Sequence, residues 1–286
     1  MEHFYVITNG QKDPKRKVAK RIQKYLLGKK VLCTLQDDEE DISEGRYKST
    51  NPDKVPEDVD CVLVLGGDGT VLRAARDLVE KHLPLFGVNL GTLGYLAEVD
   101  QNHIEDALDH LVLDEYIIEE HMMLKGVAYH EGQEILSDVA LNDIVIARSG
   151  RIHVMDFKIY VNDRFLNDYS ADGIIISTPT GSTGYNLSAG GPIVSPAASL
   201  ILITPIAPHT LTARSVILPD NVKVKVVIGQ RKEPEEEAES SFDGDTTVKM
   251  TCGDEIVVEK AQSTVQFVKV DQISFLETLR KKMSGT

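Results

Sequence analysis

The stretch "LVLGGDGTVLRAARDL", residues 63–78, decides how the first half of this chain folds. An apolar run ends in a turn holding three glycines and one acid. Helical spacing then begins, with Val71, Ala75, Leu78 and Val79 on one stripe. A helix N-terminus presents unpaired N–H groups and a partial positive charge. Glycines ahead of it remove β-carbons, so a phosphate can approach the backbone. Two familiar phosphate loops do not fit. No lysine follows as G-x-x-x-x-G-K-[ST] requires, and G-x-G-x-x-G begun at Gly67 puts Leu72 where the third glycine belongs. The carboxylate of Asp68 is the informative part. An anion-binding turn gains from an acid only if that acid does chemistry or holds a metal. Accepting a proton from a substrate hydroxyl during phosphoryl transfer is one such role. The competing reading is that Asp-Gly is a turn dipeptide and Asp68 an N-cap.

Working outward, "HFYVIT" (3–8) is strand-like and "PKRKVAKRIQKYLL" helical, with Val18, Ile22 and Leu26 at helical spacing. "KVLCTL" is a second strand, and residues 37–60 form a long polar loop with room for one helical turn. "CVLVLGG" is a third strand, apolar at nearly every position, as a strand covered on both faces should be. "TVLRAARDLVEKH", "LPLFGVNLG" and "IEDALDHLV" continue as helix, strand and helix. This alternation predicts right-handed βαβ units on a parallel sheet.

Near residue 116 the pattern changes to short strands: "YIIEEHMMLKGVAY", "EILSDVALNDIVIAR", "HVMDFKIYVN", "DGIIIST", "RSVILP", "VKVKVVI", "TVKMT", "EIVVEK" and "VQFVKV". "RKEPEEEAES" (231–240) reads as a solvated hairpin loop, and "ISFLETLRKK" as a final helix. The expected fold class is α/β plus all-β. A parallel-sheet domain spans 1–116, a β-rich, sandwich-like domain spans 117–270, and a helix within 271–286 packs back on the first.

The chain has 286 residues and a formal charge of −14. That charge argues against nucleic acid or an anionic membrane as a partner. An anionic substrate would need backbone N–H groups, a few local cations or a metal ion. The nearest candidate for a membrane span, "ASLILITPIA", is too short and contains Pro205. The N-terminus shows no secretory signal pattern. Cys33, Cys61 and Cys252 have neither disulfide nor zinc spacing and read as reduced thiols in a cytoplasmic protein.

A second loop, "ADGIIISTPTGSTGYNLSAGGP" (171–192), follows another apolar strand. The hydroxyls of Ser177, Thr178, Thr180, Ser182 and Thr183 can contact phosphates and ribose without adding charge, and Tyr185 can stack on a base. The alternative is an ordinary surface loop. Two such loops suggest a nucleotide held in a cleft between domains. His209 reads as structural, and His121 and His153 lack ligand spacing. Arg148, Arg151 and Arg214 could supply positive charge or pair with surface acids.

At this point the chain resembles the NAD kinases, within the wider group of kinases that carry a GGDGT loop. The resemblance runs from about residue 58 to 260. "GGDGTVLRAAR", "PLFGVNLGTLGYLAEV", "ALNDIVIAR", "DGIIISTPTGSTGYNLSAGGPIVSP" and "ITPIAPHTLTARSVILP" come in that family's order. The GGDGT loop is shared with lipid kinases and phosphofructokinases; the threonine-rich stretch is not. The resemblance implies transfer of the terminal phosphoryl group of ATP, with Mg²⁺ or another divalent metal, to the 2′-hydroxyl of the adenosine ribose of NAD. It implies that Asp68 activates that hydroxyl and that Gly66, Gly67, Gly69 and Thr70 handle phosphate. Asn142 and Asp143 match a pair that binds ribose hydroxyls. Asp172, Thr180, Thr183, Tyr185 and Ser188 match positions that hold the dinucleotide. The resemblance also implies that Tyr95 borders the same pocket and that Arg148 is a further ligand contact. A homodimer or homotetramer is implied as well. Asp143 stands where the family has Glu, Gly184 where Ala is common, and Thr212-Ala213-Arg214 where Thr-Asn-Arg is usual. Two competitors are a diacylglycerol-type lipid kinase and a dinucleotide-sensing protein without turnover. The first calls for a membrane-directed helix or lipidation signal, which is not seen in the sequence. The second has no need of Asp68.

Overall fold

The computed structural model describes residues 1–37, 50–91, 94–150, 154–229, 237–270 and 275–284. The chain divides into two compact units, Met1–His121 with Thr264–Thr286, and Met122–Ser263.

In the first unit the strands are β1 (His3–Thr8), β2 (Leu32–Leu35), β3 (Cys61–Gly66), β4 (Leu85–Asn89) and the two-residue β5 (Val99–Asp100). The helices are α1 (Lys17–Gly28), α2 (Asp68–Asp77) and α3 (Ile104–Val112). The sheet order β2-β1-β3-β4 is parallel throughout, as the strand–helix alternation predicts. Every residue of β3 is buried, which is why its sequence is apolar without alternation. Ala19, Ile22 and Leu26 of α1 and Ile104, Leu108 and Leu111 of α3 close one core with Phe4, Leu63, Leu65 and Phe86. The predicted helix over "TVLRAARDLVEKH" is shorter than its pattern: α2 stops at Asp77 and a separate 3-10 turn covers Val79–Lys81. Of the long polar loop, Pro52–Lys54 forms one 3-10 turn capped by the Asn51 side chain, while 38–49 lie outside the described residues.

The second unit starts within β6 (Ile117–His130) and continues through β7 (Gln133–Ala140), β8 (Asp143–Arg148), β9 (Met155–Val161), β10 (Arg164–Ala171) and β11 (Gly173–Ser177). A 3-10 turn (Thr180–Thr183) and the one-turn helix α4 (Tyr185–Ser188) follow. The strands resume as β12 (Leu200–Ile206), β13 (Val216–Pro219), β14 (Val224–Ile228), β15 (Glu237–Phe242), β16 (Thr246–Thr251) and β17 (Glu255–Lys269); the end of β17 from Thr264 and the last helix, α5 (Phe275–Met283), belong to the first unit. One antiparallel layer has the order β13-β12-β11-β8-β15-β16, and β10-β9-β14-β17 forms another. Ile144, Ile146, Ile174, Ile176, Ile201 and Phe242 of the first share a core with Phe157, Ile159, Val224, Val226 and Ile256 of the second. This is the expected β-rich, sandwich-like arrangement.

Several strand readings need correction. "EILSDVALNDIVIAR" is two strands, because the N–H groups of Leu141, Asn142 and Asp143 bond to the Asp243 carboxylate instead of to a neighbouring strand. "EIVVEK" and "VQFVKV" are one strand, β17. Strand β10 leaves little trace in the sequence because its first five residues are exposed and mostly polar. Pro205 masks strand β12 in the sequence. The Ile206 carbonyl accepts from Asp172, so the adjacent Pro205 nitrogen faces the other way, beyond the last β12–β13 pair, Ile203 with Val216. Glu237–Ser240 of the expected hairpin loop belong to β15, and 231–236 lie outside the described residues. No helix among the described residues is long and apolar enough to cross a membrane. The three cysteines are free. Burial pushes the Cys33 thiol up to about 12 and raises that of Cys61 as well.

Candidate functional site

In the first unit, β3 delivers the chain to the glycine turn and α2 leaves it. Gly67 is the N-cap, and no side chain caps the helix. Asp68 occupies the first helical position, so the N-cap reading of this acid does not hold. Its carboxylate accepts instead from the N–H groups of Tyr95 (2.8 Å) and Leu96 (3.2 Å), in the segment after β4. Each oxygen thus has one fixed donor and a free lone pair, and the side chain is only partly buried. Gly94 makes the approach possible, because a β-carbon there would overlap the Asp68 carboxylate. Gly66 is buried against the Thr70 side chain, and the Thr70 hydroxyl accepts from Asn9 Nδ2 at 3.3 Å. Gly69 is exposed, with open space where a β-carbon would stand. The Tyr95 ring lies 6.4 Å from that of Phe275 in α5, with the Lys282 ammonium 4.7 Å above it. Within the first unit, Phe275 and Lys282 thus place the final helix beside Tyr95.

In the second unit the threonine-rich stretch behaves differently from its composition. Ser177, Thr178 and Ser182 are fully buried. Their hydroxyls donate to the carbonyls of Asn142 (3.2 Å), Leu141 (2.6 Å) and Val194 (3.0 Å). These three hold the fold of the site and are not free for a ligand, which corrects their expected role. Thr180 is nearly buried, and Thr183 is half-buried and donates to the Thr180 carbonyl. Tyr185 and Ser188 are exposed at the two ends of α4. Gly181 packs on Asn142 so closely that a β-carbon would overlap its carbonyl oxygen. Buried Asn186 ties the loop together, donating to Ser182 and Pro192 carbonyls and accepting from Thr204.

Asn142 and Asp143 stand at the start of β8, beside this loop. Asp143 is 6 % exposed, and burial, with the Asp243 charge next to it, pushes its carboxyl up to about 7. Asp243 sits in the left-handed region (φ 52) of the β15–β16 hairpin, which turns its carboxylate toward the three N–H groups of Leu141–Asp143. Asp243 cannot be singled out from the sequence, because Asp-Gly in a hairpin is an ordinary turn signal. Arg148 is not a free cation. Its Nε donates to Asp172 at 2.8 Å and its N–H to the Asp172 carbonyl, so it orients that acid. Arg214 donates to the carbonyls of Leu211 and Ala213. His121 is buried with its ring on Phe267, as a structural histidine would be. His209 is exposed, and Arg151 and His153 lie outside the described residues. Among the described residues no group of three or more His, Cys, Asp or Glu could hold a metal ion.

An oriented acid in a glycine turn and a caged Asn-Asp pair can be compared with known proteins. Residues 5–116 match the ATP-NAD kinase N-terminal domain, and residues 141–270 the ATP-NAD kinase C-terminal domain. The NAD kinase of Lachnospira eligens is 42% identical over 99% of this chain and 100% of its own length. That of Agathobacter rectalis is 45% identical over 100% of this chain and 99% of its own. Among solved structures, yeast NADH kinase complexed with NADH superposes with a TM-score of 0.84 at 26% identity, covering 99% of this chain and 88% of that one. An NAD kinase from Archaeoglobus fulgidus in complex with ATP shares the fold with a TM-score of 0.76 over 99% of both chains, at 24% identity. The GGDGT turn, the Asn-Asp pair and the threonine-rich loop thus stand in a chain that belongs to the NAD kinase family.

Proposed function

We propose that this chain moves the terminal phosphoryl group of ATP onto the 2′-hydroxyl of the adenosine ribose of NAD, with Asp68 as the proton acceptor. The observation that carries the proposal is the orientation of the Asp68 carboxylate. Two N–H donors from outside its own helix fix it, one lone pair per oxygen stays available, and the side chain is partly open to solvent. A base needs that geometry, whereas a turn residue or a cap does not. The N–H groups of the turn and the start of α2 take donor phosphate oxygens. Asn142 and Asp143 hold the ribose hydroxyls, and Thr183, Tyr185 and Ser188 hold the rest of the adenosine, with Tyr185 stacked on the base. Asp172, aimed by Arg148, and Thr180 complete the set.

A divalent ion would enter on the triphosphate, whose oxygens supply much of the shell of an ion such as Mg²⁺. Asp68 is the acid of the glycine turn that such an ion would face. Bound there, Mg²⁺ would neutralise donor phosphate charge beside a protein of net charge −14. A homodimer or homotetramer is supported by the family resemblance, and a cytoplasmic setting by the three free thiols.

The test is an assay with NAD and Mg-ATP, read by an NADP-specific dehydrogenase, on the wild type and Asp68→Asn. The variant should keep NAD binding and lose turnover by about 10²–10⁴-fold. Turnover that survives the substitution removes Asp68 from the chemistry.

A further inference from the structure

The glycine turn carries no lysine of its own in sequence, yet one stands over it in space. Lys12 lies in the turn after β1. Its ammonium is 2.8 Å from where a β-carbon of Gly67 would stand and 3.7 Å from that of Gly91. The backbone that carries it is held from several sides. The Asn9 N–H donates to the Leu65 carbonyl at 2.9 Å, and Asn9 Nδ2 to the Thr70 hydroxyl at 3.3 Å, which ties this turn to both ends of the GGDG segment. Asn9 Oδ1 accepts from the N–H groups of Gln11 and Lys12, and the Asn9 carbonyl from those of Lys12 and Asp13. Buried Asp13 accepts from Val18 and Ala19 at the start of α1 and from the Thr8 hydroxyl.

The electrostatics of this placement are unusual. The start of α2 is the positive end of a helix, and a cation there meets charge of its own sign. No carboxylate pairs with Lys12 among the described residues. A lysine over the positive end of a helix becomes favourable when an anion lies between them, bonded to the ammonium on one side and to backbone N–H groups on the other.

We propose that Lys12 is a donor-phosphate ligand of this kinase, its ammonium meeting the terminal phosphates of the nucleoside triphosphate over Gly67 and Gly91. The proposal rests on the reading of the glycine turn as the place where donor phosphate is handled. In the step it assists, the bond between the terminal phosphorus and the β-γ bridging oxygen breaks, and its electron pair stays on the diphosphate. A new bond joins that phosphorus to the ribose 2′-oxygen, whose proton passes to Asp68. Lys12 offsets charge on the oxygens of the moving group and the leaving diphosphate. It also supplies a local cation that a chain of charge −14 needs for an anionic donor.

The experiment is steady-state kinetics of wild type, Lys12→Met and Lys12→Arg, varying Mg-ATP and NAD separately, with NAD binding measured directly by calorimetry. Lys12 is exposed, so both variants should fold. Lys12→Met should lose about tenfold to hundredfold in kcat/KM for Mg-ATP. Its NAD affinity should stay within twofold of wild type, and Lys12→Arg should recover most of the loss. A Lys12→Met enzyme within threefold of wild type for Mg-ATP overturns the proposal. So does a loss of NAD affinity as large as the loss for ATP. Asp68→Asn, assayed in parallel, separates the two readings. If it loses turnover while Lys12→Met does not, only the lysine assignment falls. If it keeps turnover, the reading of the turn falls and takes the lysine with it.

Discussion

Gly94 lies directly against the Asp68 carboxylate, with no room for a single carbon between them. The two residues are 26 positions apart, and the acid reaches the backbone of 94–96 only because position 94 lacks a side chain. Gly94→Ala should therefore act on chemistry through Asp68. The methyl group displaces the carboxylate and leaves the N–H groups of Tyr95 and Leu96 without their acceptor. We expect kcat to fall at least 10²-fold, with stability lower by about 1–3 kcal/mol. A kcat within fivefold of wild type would show that Asp68 does not need this fixed position.

Asp143 supplies a pH dependence with a definite sign. Its carboxyl is raised to about 7 in the folded chain, against an ordinary value of 3.8. Below pH 4 both folded and unfolded chains hold the proton, and the group has no effect. Between about 4 and 7 the folded chain keeps a proton that the unfolded chain releases, so stability falls as pH rises. Above about 7 the penalty is constant. Asp143→Asn removes it, and its thermal midpoint relative to wild type should climb between pH 4 and 7 and then level off. The same group predicts proton release on dinucleotide binding, since ribose hydroxyls donate best to an ionised carboxylate. Calorimetry at pH 6 in two buffers of different ionisation enthalpy should show release of up to one proton, fading by pH 8. Equal heats in both buffers at pH 6 would contradict this.

How much of this could be read from the residues alone depends on where each interaction leaves a trace. The β3–turn–α2 unit was legible because burial on both faces writes an unbroken apolar run, and because an acid in a glycine turn ahead of a helix is out of place. The clamp on Asp68 was not, since backbone N–H donors leave no mark on side-chain identity. Gly94 looks like any loop glycine. Lys12 sits among five other basic residues between Lys12 and Arg21 and cannot be told from solvated neighbours by composition. The threonine-rich loop was recognisable as special, but a count of hydroxyls cannot separate those open to a ligand from those spent on main-chain carbonyls. Strand β12 was hidden by Pro205, whose lack of an N–H costs nothing at that one register position.

That division of hydroxyls is measurable. Ser182 donates to the Val194 carbonyl and accepts from the Val194 N–H, both at 3.0 Å, in full burial. Ser182→Ala should cost about 1–3 kcal/mol of stability, visible as a lower thermal midpoint. Tyr185, 46% exposed, should do the reverse. Tyr185→Ala should shift stability by less than about 0.5 kcal/mol while weakening NAD binding by about 1–3 kcal/mol through lost base stacking. Denaturant melts and NAD titrations of the two variants should cross over. If Tyr185→Ala binds NAD normally, the adenine does not stack there.

Asp243 tests whether Asn142 and Asp143, the pair proposed to meet the ribose, are held or merely present. Three backbone N–H groups, of Leu141, Asn142 and Asp143, converge on its carboxylate at 2.8–3.1 Å, and its own N–H returns a bond to the Asp143 carbonyl. Hydrogen bonds to a charged acceptor are worth about 1.5–3 kcal/mol each. Asp243→Ala strands three donors at once, and the start of β8 should lose its fixed geometry. Asp243→Asn is the more discriminating variant. It keeps one acceptor oxygen, holds most of the fold, and removes the negative charge that helps raise the Asp143 carboxyl. We expect its KM for NAD to rise about tenfold, with KM for ATP nearly unchanged. The pH at which NAD binding releases a proton should move downward, toward the ordinary carboxylate range. A variant with normal KM for NAD and an unshifted pH profile would mean that Asn142 and Asp143 need no help from the hairpin to meet the ribose.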